Sequence, residues 1–339
     1  AFHTTPFIYS PLLRYPSNIA MERTGKIIRR SIYTFLQNYQ YFTTTCAILA
    51  FPFSASVLLS QALVPFSSLL PTVHNRLRSL FDAAGFPPSS EFFTLKLSQT
   101  ITSSILVLPF TLSFLLIAKA SIIQALRPSF ISLYNPILIT QLCNSLVLLS
   151  VNATCFSLLF LAFNCLEGLG YSSPNSILFL SATCAALYSI VLANAIIVCN
   201  LALVTSGMEK CGGYLAILKA CVLVRGRSRT ATALSLAVPV NMALAAVEAL
   251  FQYRVVRAHH HAQSFTSSMA LEGMFIAYLY SLLIVLDTIV TCVFFKSCKT
   301  ASRIDQEGRY SYSYRIEIEE QDGISNFANV KTLELEDLP

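Results

Sequence analysis

The sequence predicts an all-α, polytopic membrane protein of six transmembrane helices with interfacial amphipathic helices beside them. Three observations predict it. Of 339 residues, 55% are hydrophobic and 12% charged, with a mean hydropathy of +0.62, and that charged fraction is about half of what a soluble domain carries. The uncharged stretches Ser31–Val73, Leu97–Ala118, Pro128–Leu166 and Gly168–Met208 each exceed the roughly 20 residues a helix needs to cross a bilayer core. The basic residues are also unevenly placed between these stretches.

Residues 21–40 set Ile28, Ile32, Phe35, Leu36 and Tyr39 on one helical stripe, with Arg23, Lys26, Arg29 and Arg30 near its start. This predicts a basic amphipathic helix on a membrane surface, with anionic lipid head groups as its partner. Residues 1–20 carry no weight in this reading. No basic segment with a short apolar core and a small-residue cleavage site precedes Met21, so the first span is expected to direct insertion itself.

Spans are predicted at about 41–64, 97–118, 137–163, 176–205, 229–252 and 270–295. Between the first two, Leu69, Leu70, Val73, Leu77, Leu80 and Phe81 recur at helical spacing, and Gly85 and Pro87-Pro88 end the pattern, predicting a second interfacial helix. A third is predicted within 208–224, with Tyr214, Leu215, Leu218 and Val222 on one face and Lys219 on the other. Counted between these spans, 18 of the 23 Lys and Arg fall on the side of the two ends and five on the opposite side. By the positive-inside rule both termini are cytosolic.

The domains are therefore 1–40, a cytosolic tail with the basic helix; 41–296, the six-helix domain; and 297–339, an acidic tail holding nine of the 17 acidic residues and expected to be disordered. The membrane is expected to be the plasma membrane or an endomembrane such as the ER. Protein partners or self-association are expected, and nucleic acid is not.

Ser181, Ala185, Ser189 and Ala193 in the fourth span, and Ala233, Ala237, Asn241, Ala245 and Ala249 in the fifth, form ladders of small residues. Such ladders let backbones approach closely, which predicts that these two helices pack together. Amides must avoid lipid, so Gln141, Asn144 and Asn152 of the third span, Asn194 and Asn200 of the fourth and Asn241 of the fifth are expected to face the interior, as glue between helices or as the lining of a wet path.

Asp287 stands nine residues before Lys296, about 13 Å along a helix, with no base expected at its depth. An acid inside a span is either a structural hydrogen-bonding group or part of a transport or proton-coupling path. Glu248 and Glu272 fall near the same, non-cytosolic ends of the fifth and sixth spans, flanking a connection with His259, His260 and His261. Three consecutive histidines cannot all face one site, so a solvated loop is expected and no metal is assigned. The ten cysteines lack CxxC spacing, which excludes a zinc site or disulfide framework; Cys211, Cys221, Cys292 and Cys298 stand where S-acylation occurs. The Asn152 sequon lies within a span. No P-loop, GxGxxG, HExxH or GxSxG is present, so no enzyme class and no cofactor is predicted.

At Leu201–Arg229, with Val204, Glu209, Gly212-Gly213, Ala216-Ile217-Leu218-Lys219, Leu223 and Arg225-Gly226-Arg227, the chain resembles a family of uncharacterised plant multi-pass membrane proteins. That family is similar to the membrane domain of bacterial glycerophosphoryl diester phosphodiesterases. The resemblance implies a fold and no activity, because a chain almost wholly of spans has no room for the catalytic barrel. The expected function is that of a non-enzymatic scaffold or accessory subunit. The alternative is a transporter or channel built around the intramembrane polar residues Asp287, Asn144, Asn152, Asn194, Asn241, Glu248 and Glu272.

Overall fold

The computed structural model describes residues 17–83, 91–127, 134–168, 174–209, 211–225, 227–257 and 267–336. Among them the regular structure is all helical. We number the helices α1 (Ser17–Gln37), α2 (Tyr39–Phe66), α3 (Leu69–Ala83), α4 (Thr94–Ala125), α5 (Tyr134–Gly168), α6 (Pro174–Glu209), α7 (Tyr214–Val224), α8 (Arg229–Val256) and α9 (Ser267–Glu336). Six of them, α2, α4, α5, α6, α8 and the first part of α9, are long and apolar enough to cross a membrane. They coincide with the six spans read from hydropathy. Their outer surfaces are apolar too, as at Leu146, Leu149, Phe179, Leu187, Ile190 and Met242, all exposed. Exposed hydrocarbon of this extent is what a span or a partner-binding surface presents.

Residues Ala1–Val293 and Phe294–Pro339 form two compact units. In the first, α9 supplies a heavily buried helix: Ile276, Ala277, Tyr280, Ser281, Ile284, Val285, Ile289 and Val290 are all buried. Leu58 of α2 and Phe251 and Val255 of α8 join Ile276, Ala277, Tyr280 and Ile284 in one core cluster, and Cys46 Sγ meets Ser281 Oγ at 2.8 Å. In the second unit the backbone stays helical to Glu336, through the segment expected to be a disordered tail. No proline interrupts residues 267–338, and Gly308 and Gly323 weaken a helix by only about 1 kcal/mol each relative to alanine.

Three of the spans change pitch, α8 in its last turn at Gln252–Val256 and two others near a proline. The backbone widens to π turns at Cys46–Ala50 and Thr111–Leu115, close to Pro52 and Pro109. At Pro52 the missing N–H and the crowding of the Ile48 carbonyl four residues back fall within the π turn, which absorbs both defects. The Ser113 hydroxyl donates to the Pro109 carbonyl at 2.6 Å.

Helices form at all three positions where a surface helix is expected. Thr24, Ile27 and Ser31 are the buried stripe of α1, which packs on α8 with Thr24 Oγ1 2.6 Å from Ser235 Oγ; Lys26, Arg29 and Arg30 are exposed. Helix α3 packs on α4. Helix α7 buries Ala216, Ile217, Ala220 and Val224 and exposes Tyr214, Leu215, Leu218 and Val222, so the apolar face read from the sequence points away from the bundle.

Helices α6 and α8 do touch, as expected, and Ala233 is buried, but most of the two ladders takes no part in the contact. Ala185, Ser189, Asn241, Ala245 and Ala249 are exposed, and the principal partner of α6 is α5. Tyr188 donates to Asn152 Oδ1 at 3.0 Å and Asn144 to the Cys199 carbonyl at 2.9 Å. Amide and phenol bonds, rather than small-residue contact, tie the strongest pair.

Candidate functional site

The site starts from where α4 ends. A charge normally closes a hydropathy window, which put Lys119 outside the second span. The helix instead continues through Ile122 and Ile123, both fully buried, to Ala125, and Pro128 rather than Lys119 is the next helix-breaking residue. Lys119 is thereby drawn about 9 Å inside the end of α4, six residues at 1.5 Å each.

Two polar groups on other helices lie near it. Asn200 lies nine residues before the end of α6 at Glu209, about 13 Å in, the same distance that separates Asp287 from Lys296. The Lys119 ammonium donates to Asn200 Oδ1 at 3.4 Å. It also lies within electrostatic range of Asp287 of α9, and no direct ion pair joins the two side chains. This corrects the expectation that Asp287 has no base at its depth. The attraction between the two groups offsets part of the cost of burying them.

The end of the bundle next to this cluster is tightly closed. Arg127 Nη1 donates to the Gly207 carbonyl at 2.9 Å. A Cβ on Gly207 would stand 2.8 Å from Ile123 Cγ2, and one on Gly212 would stand 3.1 Å from the Pro136 Cα. Gly213 has φ +70°, which favours glycine, and its N–H donates to Thr140 Oγ1 at 2.9 Å. The Gly-Gly turn therefore seats α7 against the start of α5. Beyond it, Lys219 bonds Cys211 Sγ at 3.3 Å and Glu209 Oε2 at 3.2 Å, and these bonds hold its amine above the usual lysine value.

A second polar group sits on α2, α8 and α9. Glu248 accepts from Tyr280 at 2.9 Å and from Gln61 Nε2 at 3.3 Å, and Gln252 Nε2 donates to Gln61 Oε1 at 2.8 Å. Glu272 is separate, joined to Arg254 by an exposed ion pair at 3.2 Å. His259, His260 and His261 lie outside the described residues. Among the described residues no three His, Cys, Asp or Glu side chains form a metal-binding group.

Of the predicted site residues, Asn144, Asn152, Glu248 and Asp287 face neighbouring helices. Asn194 and Asn241 do not. Both are exposed and donate to the carbonyls four residues back, Ile190 and Ala237, at 2.9 and 2.8 Å; that bond satisfies one amide donor without a partner helix. Sequence reading passed over Lys119, Gln61 and Tyr280. The signal for Lys119 is the absence of Gly and Pro between Pro109 and Pro128, with Ile122 and Ile123 beyond the lysine.

Six apolar helices with charged and amide side chains between them define the class, an all-helical chain with the length and hydropathy of a multi-span membrane protein. Residues 131–308 match the model of a domain of unknown function, DUF8558. That is more than half of the chain, and the chain belongs to this family. No curated protein and no solved structure matches it.

Proposed function

We propose that this chain is a six-span integral membrane protein with both ends in the cytosol, acting as a non-enzymatic scaffold or accessory subunit. One observation carries the reading: the polar side chains between the apolar helices hold those helices together. Asn144 and Asn152 join α5 to α6, Lys119 joins α4 to α6, and Glu248 joins α8 to α2 and α9. Interhelical bonds of this kind average about 0.6 kcal/mol each. The exposed Lys26, Arg29 and Arg30 on α1 favour anionic lipid head groups at the cytosolic face, at about 1 kcal/mol per basic residue. Affinity purification of the full chain from its native membrane tests the role. Stoichiometric protein partners support it, and a monomer that moves a solute across liposomes overturns it.

Asp287 favours a second reading, a transporter or channel. Among the described residues its carboxylate accepts no hydrogen bond and faces the charge of Lys119. A charge pair held apart inside a bundle is able to exchange partners with a proton or a cation. Solute or proton flux in liposomes that falls in Asp287→Asn supports this reading, and equal flux in both proteins rejects it.

A further inference from the structure

We propose that a cavity between α2, α8 and α9 binds one hydrocarbon chain of a bilayer lipid. Its volume is about 410 Å³, within the range of small-molecule sites. Every lining residue is Phe, Leu, Val, Met, Ala or Gly. No lining side chain offers a polar group, so the cavity has nothing to hold water or orient a polar ligand, and apolar cavities stay dry or take apolar guests.

The position of the mouth identifies the occupant. Leu59, Leu63, Phe66 and Met274 line the cavity and are themselves exposed on the outer surface. Leu271, Phe275 and Tyr253 are exposed on the same helices. The opening is therefore continuous with the apolar exterior of the bundle. On the six-span reading, on which this inference rests, that exterior is bathed in acyl chains. A guest entering there arrives from the bilayer and not from water.

The walls are preformed. Leu58, Phe251, Val255 and Ala277 belong to the core cluster, and the space exists because small residues face it. At Gly273 a Cβ would meet Phe251 Cε2 at 3.7 Å and Val255 Cγ2 at 3.9 Å, ordinary contacts. A leucine at this position begins without a clash and extends into the void. Met269 and Met274 add flexible thioethers that adapt to chains of different length and unsaturation.

The test uses the full chain in phosphatidylcholine vesicles containing a phosphatidylcholine with a photoactivatable diazirine on one acyl chain. After illumination, adducts are mapped by peptide mass spectrometry. Adducts are expected to concentrate on the peptides of Phe66, Met269 and Met274. They are expected to fall about tenfold, a change of about 1.4 kcal/mol in occupancy, in Gly273→Leu. Adducts at the exposed Leu146 and Leu149 of α5 stay unchanged. Ala62→Leu fills the cavity from α2 and is expected to give the same loss. Wild-type adducts spread evenly over Phe66, Met274, Leu146 and Leu149, or full labelling in both filled variants, overturns the site. Absence of adducts at every position, Leu146 and Leu149 included, overturns the six-span reading itself.

Discussion

Lys119 on α4 donates a hydrogen bond to Asn200 Oδ1 of α6 at 3.4 Å and lies within electrostatic range of Asp287 on α9. Removing one charge leaves the other in low dielectric without its counterpart. Lys119→Met and Asp287→Asn are each expected to lower the thermal midpoint in lipid nanodiscs, and the double variant to lose less than the two losses added. The coupling expected from the cycle is about 0.5–3 kcal/mol. Additive losses contradict the pairing.

Tyr280 and Glu248 give a second, weaker tie. Tyr280→Phe keeps the ring in the core cluster and removes only the 2.9 Å bond to Glu248, while Gln61 still donates to the other carboxylate oxygen. The expected loss is about 0.6 kcal/mol and not above about 2 kcal/mol. Glu248→Leu removes the acceptor for both donors and is expected to cost more. Denaturant or thermal titration in a fixed lipid composition reads both.

The Gly213 turn is a test of backbone geometry alone. With φ at +70°, Gly213→Ala is expected to cost about 1–3 kcal/mol. Thr140→Val removes the acceptor of the Gly213 N–H and is expected to cost about 1–3 kcal/mol, the penalty for a buried donor left unpaired. Both variants loosen the seating of α7, so protease protection of residues 211–225 falls with stability. Unchanged protection in Gly213→Ala contradicts the turn described.

What was legible in the sequence follows from which physical signal each feature writes. Hydropathy over twenty residues is a strong, additive signal, and the six apolar helices stand where it put them. Helical periodicity also located α1, α3 and α7. The errors arose where a single residue was made to decide. A charge usually ends an apolar span, yet Ile122 and Ile123 bury fully beyond Lys119, and burial of those two side chains carries the helix past the charge. Asn194 and Asn241 were assigned inward because amides avoid lipid, but each satisfies a donor on its own helix. The ladders of α6 and α8 state only that a close approach is sterically open, and which helix makes it depends on the whole bundle. The cavity bounded by Gly273 left no mark in the sequence, since a void is a property of three helices at once.

The central claim, six spans with both ends cytosolic, is tested most directly by single cysteines placed in each connection of a chain whose native cysteines are replaced. Ile131→Cys and Gly226→Cys are expected to react with an impermeant maleimide from the cytosolic side only. Pro87→Cys, Tyr171→Cys and His261→Cys are expected to react from the opposite side only. Any two consecutive connections labelled from the same side would contradict the account.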